Sequence, residues 1–192
     1  MFVQNWPYIR NETFPNQNPY WVQKRNQNDN FLNYSTSSFR AIYKVFDWLK
    51  IQGRITYDDS YSHYEKRDYA SSQATVEGPN GGYAISNSKS DSFYSDLLLT
   101  GNKNINQNIN LAGTVGFSHS EGNSSGIDLY STIATSLQYP NFFSVYALNG
   151  LFNKSESLIK TVSEALFANA TVGYKDQLFL DVTARNDWTS TT

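Results

Sequence analysis

Ala165 to Thr192 reads ALFANATVGYKDQLFLDVTARNDWTSTT, two runs of strictly alternating polarity around a short break. In the first run Leu166, Ala168, Ala170, Val172 and Tyr174 fall on one face, and Asn169 and Thr171 on the other. In the second, Leu178, Leu180, Val182 and Ala184 share a face opposite Asp181, Thr183 and Arg185. Successive side chains of a strand point to opposite sides, so each run is a strand with one apolar and one polar face.

The same pattern recurs upstream. A strand from about Asn33 to Phe46 sets Phe39, Ala41, Tyr43 and Val45 against Ser38, Arg40 and Lys44. After Phe46-Asp47-Trp48, a second strand sets Leu49, Ile51, Gly53, Ile55 and Tyr57 against Lys50, Gln52, Arg54 and Thr56. Val45 and Leu49 share a face across this hairpin only if the turn holds an odd number of residues. In that register Lys44 lies opposite Lys50 and Arg40 opposite Arg54. A third strand, about Asp91 to Thr100, carries Phe93, Leu97 and Leu99 on one face, and Gly101 to Asn108 turns the chain. In the fourth, Ile109, Leu111, Gly113, Val115 and Phe117 oppose Asn110, Thr114 and Ser118.

The reading is therefore all-β, with six antiparallel up-and-down strands in three hairpins. Met1 to Asn30 holds Pro7, Pro15 and Pro19 among many Asn and Gln, and predicts no regular element. Asp58 to Ser90 and Ser118 to Ser163 read as polar loops of roughly thirty to forty-five residues. Loops that long are uncommon in compact soluble domains. Short turns alternating with long loops are the rule in outer-membrane barrels. Trp48, Tyr57, Tyr174 and Trp188 lie near the expected strand ends, where amphipathic rings suit the headgroup level of a membrane.

Composition agrees. Only 39% of the 192 residues are hydrophobic, yet 16% are aromatic, a mixture that suits strands and polar loops. A net charge of −2 argues against a nucleic-acid partner held through its phosphates. The absence of cysteine excludes disulfides and thiolate chemistry. No run reaches the roughly 18 apolar residues of a membrane-spanning helix. A transmembrane barrel needs none, because its strands are apolar only on alternate residues. MFVQNWPYIR has neither the basic nor the apolar region of a secretion signal.

Four stretches carry a resemblance, in order along the chain. They are FPNQNPYWVQKRNQND at Phe14 to Asp29, DWLKIQGRITYD at Asp47 to Asp58, GGYAISNSKSDSFYSDLLL at Gly81 to Leu99, and YPNFFSVYALNG at Tyr139 to Gly150. With the closing TVGYKDQLFLDVTARNDWTST, in which Arg185-Asn186-Asp187-Trp188 is the most specific part, they resemble the barrel of the SusC/RagA family of TonB-linked outer-membrane transporters. The resemblance implies a plugged barrel of about twenty-two strands. Residues 1–192 would be a partial receptor barrel domain, an internal fragment with neither signal sequence nor plug. It further implies uptake of oligosaccharides or peptides, a SusD-like surface lipoprotein over the extracellular mouth, energy from the TonB complex through parts absent here, and contact with outer-membrane lipid. Arg40, Lys44, Lys50, Arg54, Asp181 and Arg185 are then the candidate lumen-facing residues.

Nothing in the chain predicts catalysis or a cofactor. His63 and His119 have no partner at metal-ligand or catalytic spacing. The glycine-rich Gly78 to Gly82 lacks the Lys-Ser/Thr of a phosphate loop. The rival readings are a soluble β-sandwich that binds carbohydrate and a surface adhesin. A sandwich buries the apolar face against a second sheet, whereas a barrel turns it to lipid.

Overall fold

The structure, a computed structural model, describes residues 19–70, 72, 78–150, 152–175 and 177–192. A short helix, α1 (Pro19–Arg25), is followed by β1 (Gln27–Phe46), β2 (Leu49–Tyr69), β3 (Gly81–Asn104), β4 (Ile109–Tyr130), β5 (Asn153–Tyr174) and β6 (Leu178–Thr191). The strands form one open antiparallel sheet in the order β1-β2-β3-β4-β5-β6, which is an up-and-down meander. Among the described residues there is no second sheet, so the sandwich reading fails.

Chain contacts divide the molecule into two units. One comprises Met1–Asn33, Tyr61–Lys89 and Ser125–Leu158, and the other Tyr34–Ser60, Ser90–Ser124 and Ile159–Thr192. All three tight turns belong to the second unit, and both longer connections, at 70–80 and 131–152, belong to the first.

In the turn unit, the closing hairpin pairs as its alternation requires. Thr171 faces Asp181, Val172 faces Leu180 and Ala168 faces Ala184. In the first hairpin Ser38 Oγ and Thr56 Oγ1 lie 3.1 Å apart, and Thr36 donates to Asp58 Oδ1 at 2.7 Å. These bonds set even-numbered residues of β1 and β2 on one face, and therefore Val45 with Leu49 on the other. At the β3–β4 turn the Asn106 side chain accepts the amides of Asn108 and Ile109, both at 2.9 Å, which closes the turn locally.

The loop unit differs from the sequence expectation in extent. β2 continues to Tyr69, β3 starts at Gly81, β4 continues to Tyr130 and β5 starts at Asn153, so most of the two expected loops is strand. In Asp58–Tyr69 both faces carry polar side chains, and the alternation that marks a half-buried strand vanishes. Ladder hydrogen bonds do not depend on that alternation and persist. The Gly81 to Leu99 stretch, expected to lead into a strand, is itself in β3.

The expected lack of structure before Asn30 is likewise corrected by α1 and the start of β1. The rest of that segment, with the MFVQNWPYIR stretch read as lacking secretion-signal features, lies outside the described residues. Pro19 is tolerated in the first turn of α1, where no intrahelical N–H bond is lost, and Lys24 and Arg25 suit its last turn. The Arg25 guanidinium lies 5.5 Å from the Trp21 ring and 5.6 Å from that of Tyr69.

The core of the loop unit is small. Tyr83, Leu137, Ala147 and Leu148 are buried, with Ile85, Leu129, Phe143 and Phe152 packed against them. The connection that supplies Leu137 to Leu148 contains two 3₁₀ turns, Ile133–Thr135 and Val145–Ala147. Side-chain amides pin it: Asn80 Nδ2 donates to Leu137 O at 2.8 Å, Gln138 Nε2 to Leu148 O at 3.2 Å, and Asn141 Oδ1 accepts from Ala70 N at 2.7 Å.

Candidate functional site

The turn unit presents two faces of opposite character. On the first, Phe39, Tyr43, Ile51, Ile55, Leu97, Leu99, Leu111, Val115, Phe117, Leu166, Val172, Leu180 and Val182 are exposed. Among the described residues, no part of the turn unit covers this surface. The apolar runs Leu49 to Tyr57, Ile109 to Phe117 and Leu166 to Tyr174 each cover about nine residues, the length of a tilted membrane-crossing strand. On the same face the next residues away from the turns are charged or polar, and they pair with one another. Asn123 donates to Asp91 at 2.9 Å, His119 Nδ1 lies 3.2 Å from Glu164 Oε1, and Lys160 Nζ lies 2.5 Å from Glu121 Oε1.

At the turns, lysines sit over aromatic rings: Lys103 Nζ is 4.9 Å from the Trp48 ring centre and Lys175 Nζ is 5.4 Å from that of Tyr174. Trp48 also stacks on Phe46 with centroids 5.7 Å apart. A ring paired with a flexible ammonium is suited to a boundary between apolar and wet surroundings. Of the four aromatics expected at strand ends, Trp48 and Tyr174 are at turns, Trp188 is near the end of β6, and Tyr57 lies inside β2, where its apolar run stops.

The polar face carries the six candidate residues, and the structure divides them. Arg54 donates from Nε and Nη2 to Asp96 Oδ2 at 2.8 and 2.5 Å, with its guanidinium 5.2 Å from the Tyr94 ring. The Asp96 side chain is only 2% exposed. Arg185 chelates Asp187 with three bonds of 2.8 to 3.0 Å and lies 5.5 Å from the Phe167 ring. Asp181 accepts from Thr171 at 2.5 Å. Among the described residues, no ion pair or hydrogen bond engages the side chains of Arg40, Lys44 or Lys50, and all three are exposed.

Asp96, Tyr94, Asp187 and Phe167 were not singled out from the sequence. Asp96 and Tyr94 share a parity opposite Phe93 and Leu97, and that parity is the signal that assigns them to the face of Arg54. Between the charges the face is a lattice of neutral groups. Thr100 and Thr114 hydroxyls lie 3.2 Å apart, Asn110 donates to Asn102 and Asn104, and Asn169 Oδ1 accepts from Thr114 N at 2.8 Å. The hydroxyls and amides of this row offer both donors and acceptors to solvent. Among the described residues no cluster of three or more His, Asp or Glu could hold a metal ion.

In the loop unit, Glu65 links Arg67 and Tyr83. Arg67 Nη2 donates to Glu65 Oε2 at 2.6 Å and the Tyr83 hydroxyl donates to Glu65 Oε1 at 2.9 Å. Burial and the bond to Glu65 push the Tyr83 hydroxyl up to about 12. Burial opposes the charged form of Glu65, but bonds from Arg67 and Tyr83 outweigh it and hold its carboxyl below the ordinary value. His63 Nδ1 lies 2.7 Å from Asn87 Oδ1. The pinned 131–150 connection has no charged residue and leaves Ile133, Tyr139, Phe142, Val145 and Tyr146 exposed.

Solved structures share this sheet. The RagAB peptide transporter superposes with a TM-score of 0.72 at 14% identity, over 95% of this chain and 20% of that one. The RagAB peptide importer in its open-open and closed-closed states gives 0.73 and 0.72, with the same identity and coverage. The fold is that of a fragment of a β-barrel. The chain spans about one fifth of the length of these relatives, and at this identity the likeness concerns the fold. No protein-family model and no curated protein sequence matches it.

Proposed function

We propose that this chain forms lumen wall and extracellular loop of an outer-membrane importer of the SusC/RagA kind, taking up peptides or oligosaccharides. The carrying observation is the uncovered apolar face of the turn unit. Its runs of about nine residues stop at paired charges on one side and at lysine-capped aromatics on the other, the profile of a strand in lipid. The fold likeness to peptide importers supports the same assignment. Energy comes from the TonB complex through other parts of the protein, and the role of this chain is not catalytic. Arg40, Lys44, Lys50, Arg54, Asp181 and Arg185 face the lumen.

The uncharged, pinned 131–150 connection suits contact with a SusD-like lipoprotein lid. Interface centres are depleted in charge and enriched in tyrosine and phenylalanine, and a pre-ordered loop loses less entropy on binding.

The test is envelope fractionation combined with uptake. Cells lacking the whole protein should lose accumulation of labelled peptides or oligosaccharides, and single cysteines at Tyr146 and Tyr139 should react with a membrane-impermeant reagent on intact cells. A soluble protein recovered without detergent, with uptake unchanged by its loss, overturns the reading.

A further inference from the structure

We infer that a groove on the apolar face of the turn unit holds one glycerophospholipid of net negative charge, its phosphate on Lys103 beside Trp48 and an acyl chain over Gly101 and Gly113. This rests on the membrane reading above, since only a lipid-facing sheet meets such a molecule. The seat follows from register. Thr100 and Thr114 hydroxyls lie 3.2 Å apart and Ile105 N donates to Ile109 O at 2.9 Å, which sets Gly101 of β3 directly opposite Gly113 of β4. Both glycines share the parity of Leu99, Leu111 and Val115, so two neighbouring strands lack side chains at one point of the apolar face. The gap is a groove of about 390 Å³, walled by Leu49, Leu99, Leu111 and Val115. That volume lies within the range of small-molecule pockets.

The protein does not fill this space with its own groups. A Cβ on Gly101 would meet nothing nearer than Leu49 Cδ1 at 3.5 Å and Trp48 O and Cε3 at 3.6 and 3.7 Å, all ordinary contacts, so packing does not forbid a side chain there. At Gly113 a Cβ would fall 2.7 Å from Asn169 O, so that part of the floor stays bare. Polarity along the groove is one-sided. Toward the turn, exposed Lys103 sets its Nζ 4.9 Å from the Trp48 ring centre and has no anionic partner among the described residues. No acidic residue lines the groove, and Lys103 is the one charged residue in its lining. Away from the turn, the next opposed pair is Leu99 with Val115, which continues into the apolar band. An amphiphile with one anionic group and a hydrocarbon chain matches that order. A free phosphate would leave the apolar walls in water, and a peptide strand would set backbone N–H and C=O groups unpaired against them. A zwitterionic headgroup brings its own ammonium to an uncompensated lysine, so net negative charge selects among phospholipids.

Trp48 borders the groove and reports on it. The whole protein is placed in phosphatidylcholine bilayers, and phosphatidylglycerol or phosphatidylcholine brominated on its acyl chains is titrated in. Quenching that is lost in Trp48→Phe belongs to this site. Half-quenching is expected at about a fivefold lower mole fraction of brominated phosphatidylglycerol than of brominated phosphatidylcholine, the worth of one lysine beside an anionic headgroup. Lys103→Gln should abolish the preference, Lys103→Arg should keep it, and Lys44→Gln, on the other face of the sheet, should leave it unchanged. Gly101→Leu, which fills the groove, should weaken quenching by both lipids, with the compact band on semi-native electrophoresis verifying that each variant is folded. Native mass spectrometry of the whole protein, counting retained phosphatidylglycerol, gives the same comparison without relying on Trp48. Equal quenching by the two lipids, or a preference that survives Lys103→Gln, overturns the inference while the membrane reading stands. No quenching by either lipid overturns both. A preference erased by inorganic phosphate assigns Lys103 to a small anion, and quenching that falls as protein density in the bilayer rises assigns the groove to a second copy of the chain; either result overturns the lipid seat.

Discussion

Arg54 on β2 places two guanidinium nitrogens on a single carboxylate oxygen of Asp96 on β3, while the other oxygen, Oδ1, is buried without a partner. The pair is therefore asymmetric. The arginine is partly solvated, with 43% of its side chain exposed, and the aspartate is enclosed. Removing the arginine strands a buried charge, whereas removing both charges does not. Arg54→Met alone should destabilise the assembled barrel by about 3 kcal/mol or more, and Arg54→Met/Asp96→Leu by much less. Heat-induced loss of the compact band on semi-native electrophoresis gives both values, and equal losses for single and double variants would refute the asymmetry.

The strand faces were legible in the sequence, and the strand lengths were not. Leu166 to Tyr174 against Leu178 to Ala184 pair with the faces their alternation required, because one side lacks polar groups and the other lacks apolar ones. Past Tyr57, Phe93, Phe117 and Leu166 apolar and polar side chains no longer alternate cleanly, and periodicity carries no information about a ladder that still continues. The shared parity of Arg40, Lys44, Lys50 and Arg54 was legible in the sequence. Their partners were not, because Asp96 comes to Arg54 through β2–β3 register, which depends on a connection the sequence left open. Arg40 facing Arg54 looked like an uncompensated ladder, but β3 compensates half of it.

Substitutions on the apolar face discriminate lipid from water. Leu97 is 58% exposed, so in water Leu97→Arg would be close to neutral. Against hydrocarbon the same change costs about 2–4 kcal/mol near the midplane. Thr114→Arg, on the polar face, should cost little. Folding into liposomes measured by urea titration separates the cases, and quenching of Trp48 fluorescence by brominated lipid reports the same contact independently. A neutral Leu97→Arg together with unquenched Trp48 would contradict a lipid-facing sheet.

The Glu65–Tyr83–Arg67 group gives the loop unit a pH window. Tyr83 has its folded value raised from 10.0 to about 12, so neutral tyrosine is favoured by the fold, and that contribution is complete below about pH 10 and declines as pH rises toward 12. Glu65 is shifted downward, so its contribution is present above its ordinary value of 4.5 and is lost as pH falls through the lower folded value. Near-ultraviolet circular dichroism of the aromatic cluster should stay flat across neutral pH and change at both extremes. Tyr83→Phe should abolish the alkaline change attributable to this residue and weaken the acidic one. An alkaline transition unchanged in Tyr83→Phe would show that other groups set it.

Tyr146 and Tyr83 belong to the same packed loop region and separate binding from stability. Tyr83 is 6% exposed and sits in the core, whereas Tyr146 is 79% exposed on a connection whose backbone is held by Asn80, Gln138 and Asn141. The left-handed backbone at Asn141, with φ of 59°, and the direct bond from Ala70 N to its side chain keep that connection in one arrangement without help from Tyr146. Truncating a fully exposed ring on a rigid support removes contact area and little else. If a lipoprotein lid rests on this surface, Tyr146→Ala should weaken its association by about 2 kcal/mol, roughly thirtyfold in Kd, and leave thermal stability within about 0.5 kcal/mol. Tyr83→Ala should do the reverse, lowering stability by about 3 kcal/mol through loss of its buried ring. Titration of the purified lid onto the membrane-extracted protein, with a parallel melt, measures both quantities. Unchanged lid affinity for Tyr146→Ala and for Tyr139→Ala/Phe142→Ala would move the lid contact off this connection.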